Sequence, residues 1–338
     1  MAKRVGRYTL QMEHFPSVQG FASVCGKKES EGPLGKYFDK IYMDTTAGKE
    51  SWEKAESKFQ ADAVNIALEK AGMKTEDIDY IFAGDLLNQC ISSTFGLRNL
   101  GIPFLGQFGA CSTMAQTLAL SSMMVDSGMA TRCIAVTSSH FCSAERQFRF
   151  PLEYGGQRTP TAQWTVTGSG AIVVGNTGDS PCVSAVTIGK ISDLGIKDST
   201  NMGAAMAPAA AETIGSFLKD TNTSPSDYDL ILTGDLGSVG SELLIEILQK
   251  DNIDIKQNHN DCGLMIYDQK AQDVHAGGSG CGCSASVLCS VILNRLKNGE
   301  LNNVLFVATG ALMSPTSSQQ GESIPGVAHL IHLKSHMS

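Results

Sequence analysis

Apolar positions along this chain alternate between short β-branched runs and longer stretches with helical spacing, and the alternation occurs twice. Residues 75–86, TEDIDYIFAGDL, and residues 225–236, PSDYDLILTGDL, each lead from a turn through an apolar strand into Gly-Asp-Leu. Gly84-Asp85 and Gly234-Asp235 thus stand 150 residues apart. A second pair follows in the same order: FGACSTMAQTLALSSMMVDSGMATRCIAVTSS (108–139) and SGCGCSASVLCSVILNRLKNGELNNVLFVATG (279–310). Each opens on a Gly/Cys turn, continues as a long apolar helix, stops at a glycine (Gly128, Gly299) and ends in a β-branched strand. A helical segment precedes each Gly-Asp, over 51–73 and 202–220. Three matched pieces in one order mark an internal duplication.

Each half therefore predicts β-α-β-α-β-β, an α/β pattern whose mainly parallel sheets are covered on both faces. The helix predicted from Thr113 to Ser127 is apolar nearly all round, with Met114, Ala119 and Leu120 on different faces. Such a helix belongs inside the molecule, and a helix layer between two sheets is the simplest way to bury it. The halves are expected at 1–178 and 179–338, dividing near Asn176 to Pro181.

Composition narrows the classes. Charged residues make up 18%, below the roughly 25% usual for soluble proteins, so much of the chain is expected to be buried. No apolar run approaches the ~18 residues that cross a bilayer, and no secretory signal follows Met1, so a soluble intracellular protein is expected. The ten cysteines mostly lie in apolar segments and read as small buried hydrophobes in a reduced compartment. A net charge of −8 argues against nucleic acid as a partner.

Two tandem βα halves with a GACS turn opening a buried helix resemble the thiolase and ketoacyl synthase superfamily, whose fold is a duplicated αβαβα layering. Within it the chain resembles the stage V sporulation protein AD family, through IFAGDLLNQ (81–89), IPFLGQFGACST (102–113), AERQFRFPLEYGGQ (144–157), NMGAAMAPAAAETI (201–214), HNDCGLMIY (259–267) and ATGALMSP (308–315). The resemblance implies a subunit that binds dipicolinic acid, or its calcium chelate, for the SpoVA channel complex of the spore. It implies action in uptake during sporulation and in release at germination. It further implies a peripheral place on the inner membrane of the forespore or spore, held by membrane-embedded SpoVA subunits. By analogy with the superfamily, a homodimer is expected through the strand near Cys133 to Val136.

Cys111 is the clearest candidate for chemistry. Its place at a helix start favours a thiolate, and in condensing enzymes the matching cysteine accepts the acyl group. The alternative is a packing cysteine. Gly310 and Ala311 match the superfamily's oxyanion-hole turn, with Ser314 close enough to add a hydroxyl; the same glycine also suits a strand-to-loop turn. The family's partner histidines are missing: one position reads Thr233-Gly234-Asp235-Leu236, the other Gly280-Cys281-Gly282-Cys283-Ser284. Acyl transfer needs a base or donor beside the thiol, so a non-catalytic binding role is expected, with a Cys111-dependent acyltransferase as the alternative.

His259, in a polar loop from Asn258 to Cys262, is the remaining histidine candidate for the pocket. Asp85 and Asn88 are expected to cap a helix or contact ligand, where their oxygens suit a calcium-bridged dicarboxylate. The paired helix starts at Cys111 and near Cys283 are each expected to aim amides at one carboxylate. Cys281 and Cys283 lack zinc-site companions, so neither metal nor cofactor is expected. Arg146, Arg149 and Arg158, interleaved with Phe148 and Phe150, read as a solvated loop or an anion or partner contact.

Overall fold

The computed structural model describes residues 2–148, 158–177 and 181–336. The expected division at 178/179 and the residues Arg149 and Phe150 lie outside this range. The first half carries β1 (Ser17–Gly26), α1 (Trp52–Ala71), β2 (Tyr80–Gly84), β3 (Phe104–Gln107), α2 (Thr113–Asp126), β4 (Arg132–Ser139), α3 (Phe141–Phe148) and β5 (Gly168–Gly175). The second carries β6 (Cys182–Ile188), α4 (Met202–Thr221), β7 (Leu230–Thr233), α5 (Gly237–Lys250), β8 (His259–Asp261), α6 (Cys281–Val287), β9 (Asn303–Ala311) and β10 (Gly326–Lys334).

Strand order is the same in both halves. The first runs β3-β2-β4-β5-β1 and the second β8-β7-β9-β10-β6, with the first three strands of each row parallel and the rest antiparallel. The two rows meet through one residue pair, Ser17 opposite Cys182. A repeated brace sets the register: the Asp79 carboxylate accepts the amides of Thr131 (2.6 Å) and Arg132 (3.0 Å). Asp229, 150 residues on, accepts those of Asn302 (2.6 Å) and Asn303 (2.9 Å).

The helices fall into three layers. α2 packs against strands of both rows, with Met114 and Leu118 fully buried, and α6 lies beside it against β4 and β5. Their apolar side chains join Ile172, Leu288 and Phe306 in a central core. α1 covers the outer face of the first row through Phe59 and Val64, and α4 covers that of the second through Ile214 and Phe217. The layering is αβαβα, as the pattern predicts. Burying these side chains is the main drive to assemble the layers, at about 1.5–3 kcal/mol for each large one.

Two features depart from expectation. Among the described residues the main row of each half has five strands, because the short β3 and β8 extend the rows at their outer edges. The strand containing Cys133 to Val136 is paired on both sides, by β2 and β5, so it has no free edge for a dimer. Among the described residues, no helix is long and apolar enough to cross a membrane.

Candidate functional site

The site begins where β3 leaves the sheet. Phe108 to Ser112 reverse direction in a tight turn whose Ala110 has φ +50°, a left-handed conformation that costs a residue with a Cβ about 1 kcal/mol. The surrounding bonds hold it: Ser112 Oγ donates to Gly109 O (2.7 Å), and Thr113 Oγ1 donates to Ala110 O (2.6 Å). The Gly109 amide donates back to Thr113 Oγ1 (3.0 Å). Gly310 of β9 presses on this turn so closely that a Cβ there would lie 2.3 Å from Gly109 O. Only glycine lets the second half reach the cysteine turn of the first.

The turn places Cys111 in the wall of a small cavity of about 40 Å³. Leu86, Phe108 and Phe148 from the first half and Met202, Ala311 and Met313 from the second make it mostly apolar. Its polar wall consists of Glu145, Thr165 and Ser279, with Thr165 Oγ1 donating to Glu145 Oε1 (3.2 Å).

Behind the sulfur lies Asp235, fully buried. Its Oδ2 accepts from Ser279 Oγ (3.0 Å) and the Gly280 amide (2.9 Å), and its Oδ1 from Thr309 Oγ1 (2.8 Å). The Cys111 Sγ stands 3.9 Å from Ser279 Oγ, the hydroxyl that donates to this carboxyl. Burial raises the Asp235 pKa above the usual carboxylate range. Burial first, and then the charge of Asp235, push the Cys111 thiol well above its ordinary value. This corrects the thiolate expectation: desolvation and a neighbouring acid outweigh the helix start, which here ends in a buried position.

Cys111, Gly310 and Ala311 are brought together; the other predicted residues are not. Asp85 is buried and turned into its own loop, accepting from the Leu87 amide (2.9 Å), the Ser93 amide (2.8 Å) and Ser93 Oγ (2.6 Å). Asn88 pairs with Gln147 (3.0 Å) on a separate, open surface. His259 opens β8 instead of lying in a loop, and its Nε2 meets Thr233 Oγ1 at 3.0 Å. Burial lowers its pKa to about 4. Ser314 caps the short helix Pro315–Gln319, accepting from the Ser317 amide (3.1 Å).

Cys281 donates to Ser138 O (3.0 Å), while Cys283 packs in the central core. Among the described residues no cluster of three or more His, Cys, Asp or Glu side chains is placed to hold a metal ion, and no histidine lines the cavity. Sequence reasoning passed over Ser279, Thr309 and Glu145 as site residues. In the chain Asp235 stands only where a partner histidine is missing; the Gly-Asp repeat puts it at the end of a strand, and its contact with the cysteine turn comes from how the halves meet.

The arrangement defines the class. In fold the chain is similar to condensing enzymes. The 3-oxoacyl-[acyl-carrier-protein] synthase III of Aquifex aeolicus VF5 aligns over 94% of this chain and 99% of its own, with a TM-score of 0.56 and 14% identity. Cerulenin-bound OleA from Xanthomonas campestris aligns over 95% of this chain and 96% of its own, with a TM-score of 0.60 and 14% identity. The fold is thiolase-like. The chain belongs to the stage V sporulation protein AD family, whose model matches residues 6–334. It is 51% identical over 327 residues to the stage V sporulation protein AD of Bacillus subtilis (strain 168), covering 97% of this chain and 96% of that protein.

Proposed function

We propose that this protein is a non-catalytic binding subunit that holds dipicolinate, free or as its calcium chelate, for the SpoVA channel complex. It acts in uptake during sporulation and in release at germination. It sits peripherally on the inner membrane of the forespore or spore, docked on membrane-embedded partner subunits. The observation that carries this reading is the setting of Cys111. A protonated thiol faces a small, mostly apolar cavity, and the groups beside it are a hydroxyl and a carboxyl. Acyl transfer needs a base to take the thiol proton and a donor for the developing oxyanion; a buried acid that raises the thiol pKa opposes the first step.

The apolar walls suit a planar aromatic ring. The buried Asp235 and Glu145 would repel a dianion unless a proton or calcium intervenes, so the calcium-bridged reading rests on these two residues instead of Asp85. Calorimetric titration of dipicolinate, with and without equimolar calcium, into wild type and Cys111→Ala tests this. Saturable binding by the wild type, weakened about tenfold in the variant, is expected from the lost wall contact. Equal affinity with and without calcium removes the calcium bridge.

A rival reading, acyl transfer through Cys111, is favoured by the strained turn at Ala110 and the cavity-facing sulfur. Incubation with acyl-CoA thioesters separates the two. A mass increment on Cys111 with turnover defeats the binding-subunit reading.

A homodimer, if formed, is proposed to use the outer edge of β3. Phe104 (40% exposed) and Leu105 (43%) project there, with Phe95 and Phe108 exposed nearby. An unpaired strand edge with exposed apolar side chains is a ready template for a second strand.

A further inference from the structure

We propose that Lys28 and Arg158, converging over Trp164, form a second site, separate from the Cys111 cavity, that binds a compact oxyanion such as a carboxylate or phosphate group. Trp164 lies on the two-residue strand Trp164–Thr165, which pairs in parallel with Gly278–Ser279. Neighbouring side chains on a strand point to opposite faces. Thr165 and Ser279 line the cavity, and Trp164 is turned away from it. Phe141 stacks on the indole with centroids 3.8 Å apart and planes 11° from parallel. The Lys28 ammonium lies 4.1 Å from the ring centroid, and the Arg158 guanidinium carbon 4.6 Å.

Two cations on one ring repel each other, and the indole offsets only part of that cost. The surrounding acids do not complete the balance. Arg158 Nη2 donates to Asp273 O (2.8 Å) and meets Asp273 Oδ1 at 3.1 Å, but this carboxylate is 75% exposed and is shared with His275. Glu29 turns inward to Tyr267 and the Thr167 amide, and Glu31 faces Lys27 at 3.9 Å. Among the described residues Lys28 Nζ has no ion pair or hydrogen bond. Among those same described residues, buried Arg158 Nη1 finds no acceptor. Burial first and then the Arg158 charge lower the Lys28 pKa, against the opposing pull of Asp273, Glu29 and Glu31. An oxyanion between Nζ and Nη1 answers both deficits: it supplies the absent negative charge and accepts from the orphaned donor.

The chain has two tryptophans, so Trp52→Phe leaves Trp164 as the sole reporter. The emission of that variant is followed during titration with sodium phosphate and, separately, sodium acetate, with ionic strength held constant by sodium chloride. A saturable change with at least one anion is expected. Phosphate alone identifies a phosphate site, acetate alone a carboxylate site, and both a general oxyanion site. In the same background Lys28→Gln weakens the response about tenfold, and Lys28→Arg restores most of it. If Lys28→Gln fails to fold, judged by its thermal midpoint, Arg158→Lys is held to the same tenfold criterion. No saturable change with either anion, or unchanged affinity in the charge-removing variant, overturns the proposal.

Discussion

Cys111 shows how neighbours override a local rule. A cysteine at a helix start gains stabilisation as a thiolate, typically a fraction of a kcal/mol to about 2 kcal/mol. Full burial and the Asp235 carboxyl act the other way, and they win. Removing the acid while keeping its shape tests this. Asp235→Asn is expected to lower the pH at which Cys111 reacts with iodoacetamide, read by peptide mapping across pH 7 to 10. The same change presents an amide where Ser279, Gly280 and Thr309 all donate, so a stability loss of about 1–3 kcal/mol is expected in denaturant unfolding. None of this was readable in the chain, because Asp235 and Cys111 are 124 positions apart and their contact depends on how the halves meet.

Glu56 makes a separate, titratable prediction. It is buried, accepting from Ser138 Oγ (3.0 Å) and Ser143 Oγ (2.8 Å), and its carboxyl is pushed from 4.5 to about 8 by burial and then by Asp85. The folded chain holds this proton more tightly than the unfolded chain. The contribution is therefore complete below about pH 4.5 and lost as pH rises through about 8. Urea midpoints should fall between pH 5 and 8, and Glu56→Gln should flatten that slope.

Among strands and helices, periodicity exposed the long elements and missed the short ones. α2 was readable because fourteen residues carry an apolar pattern on every face. β3 and β8 span four and three residues, too few to show a period of two, and His259-Asn260-Asp261 carries no apolar signal at all. Those residues are a strand because β7 offers an open edge. His259 was misplaced for that reason, since the sequence around it reads as a polar loop. At this site the elements of the two halves press together where Gly310 of β9 meets the Gly109 turn. Gly310→Ala forces that turn to move, and a loss of about 1–3 kcal/mol in unfolding free energy is expected. Weaker dipicolinate binding in calorimetry should accompany it.

For the assembled chain, the duplicated layering was readable from three repeated pieces, whereas the edge that remains open was not. Pairing order decides which strand is outermost, and the β4 region is enclosed on both sides. Leu105→Lys at the β3 edge is expected to shift a dimer to monomer in sedimentation or light scattering, while leaving the thermal midpoint of the monomer within a few degrees. A dimer that persists in this variant places the contact elsewhere.

The two rows share a seam of one strand pair, Ser17 with Cys182, while the cavity wall is drawn from both halves. Anything lodged there acts as a rivet: it touches Cys111 on one side and Met313 on the other. Cargo would then be felt mechanically throughout the protein, as added resistance to prying the halves apart, and a partner that pries them apart would empty it.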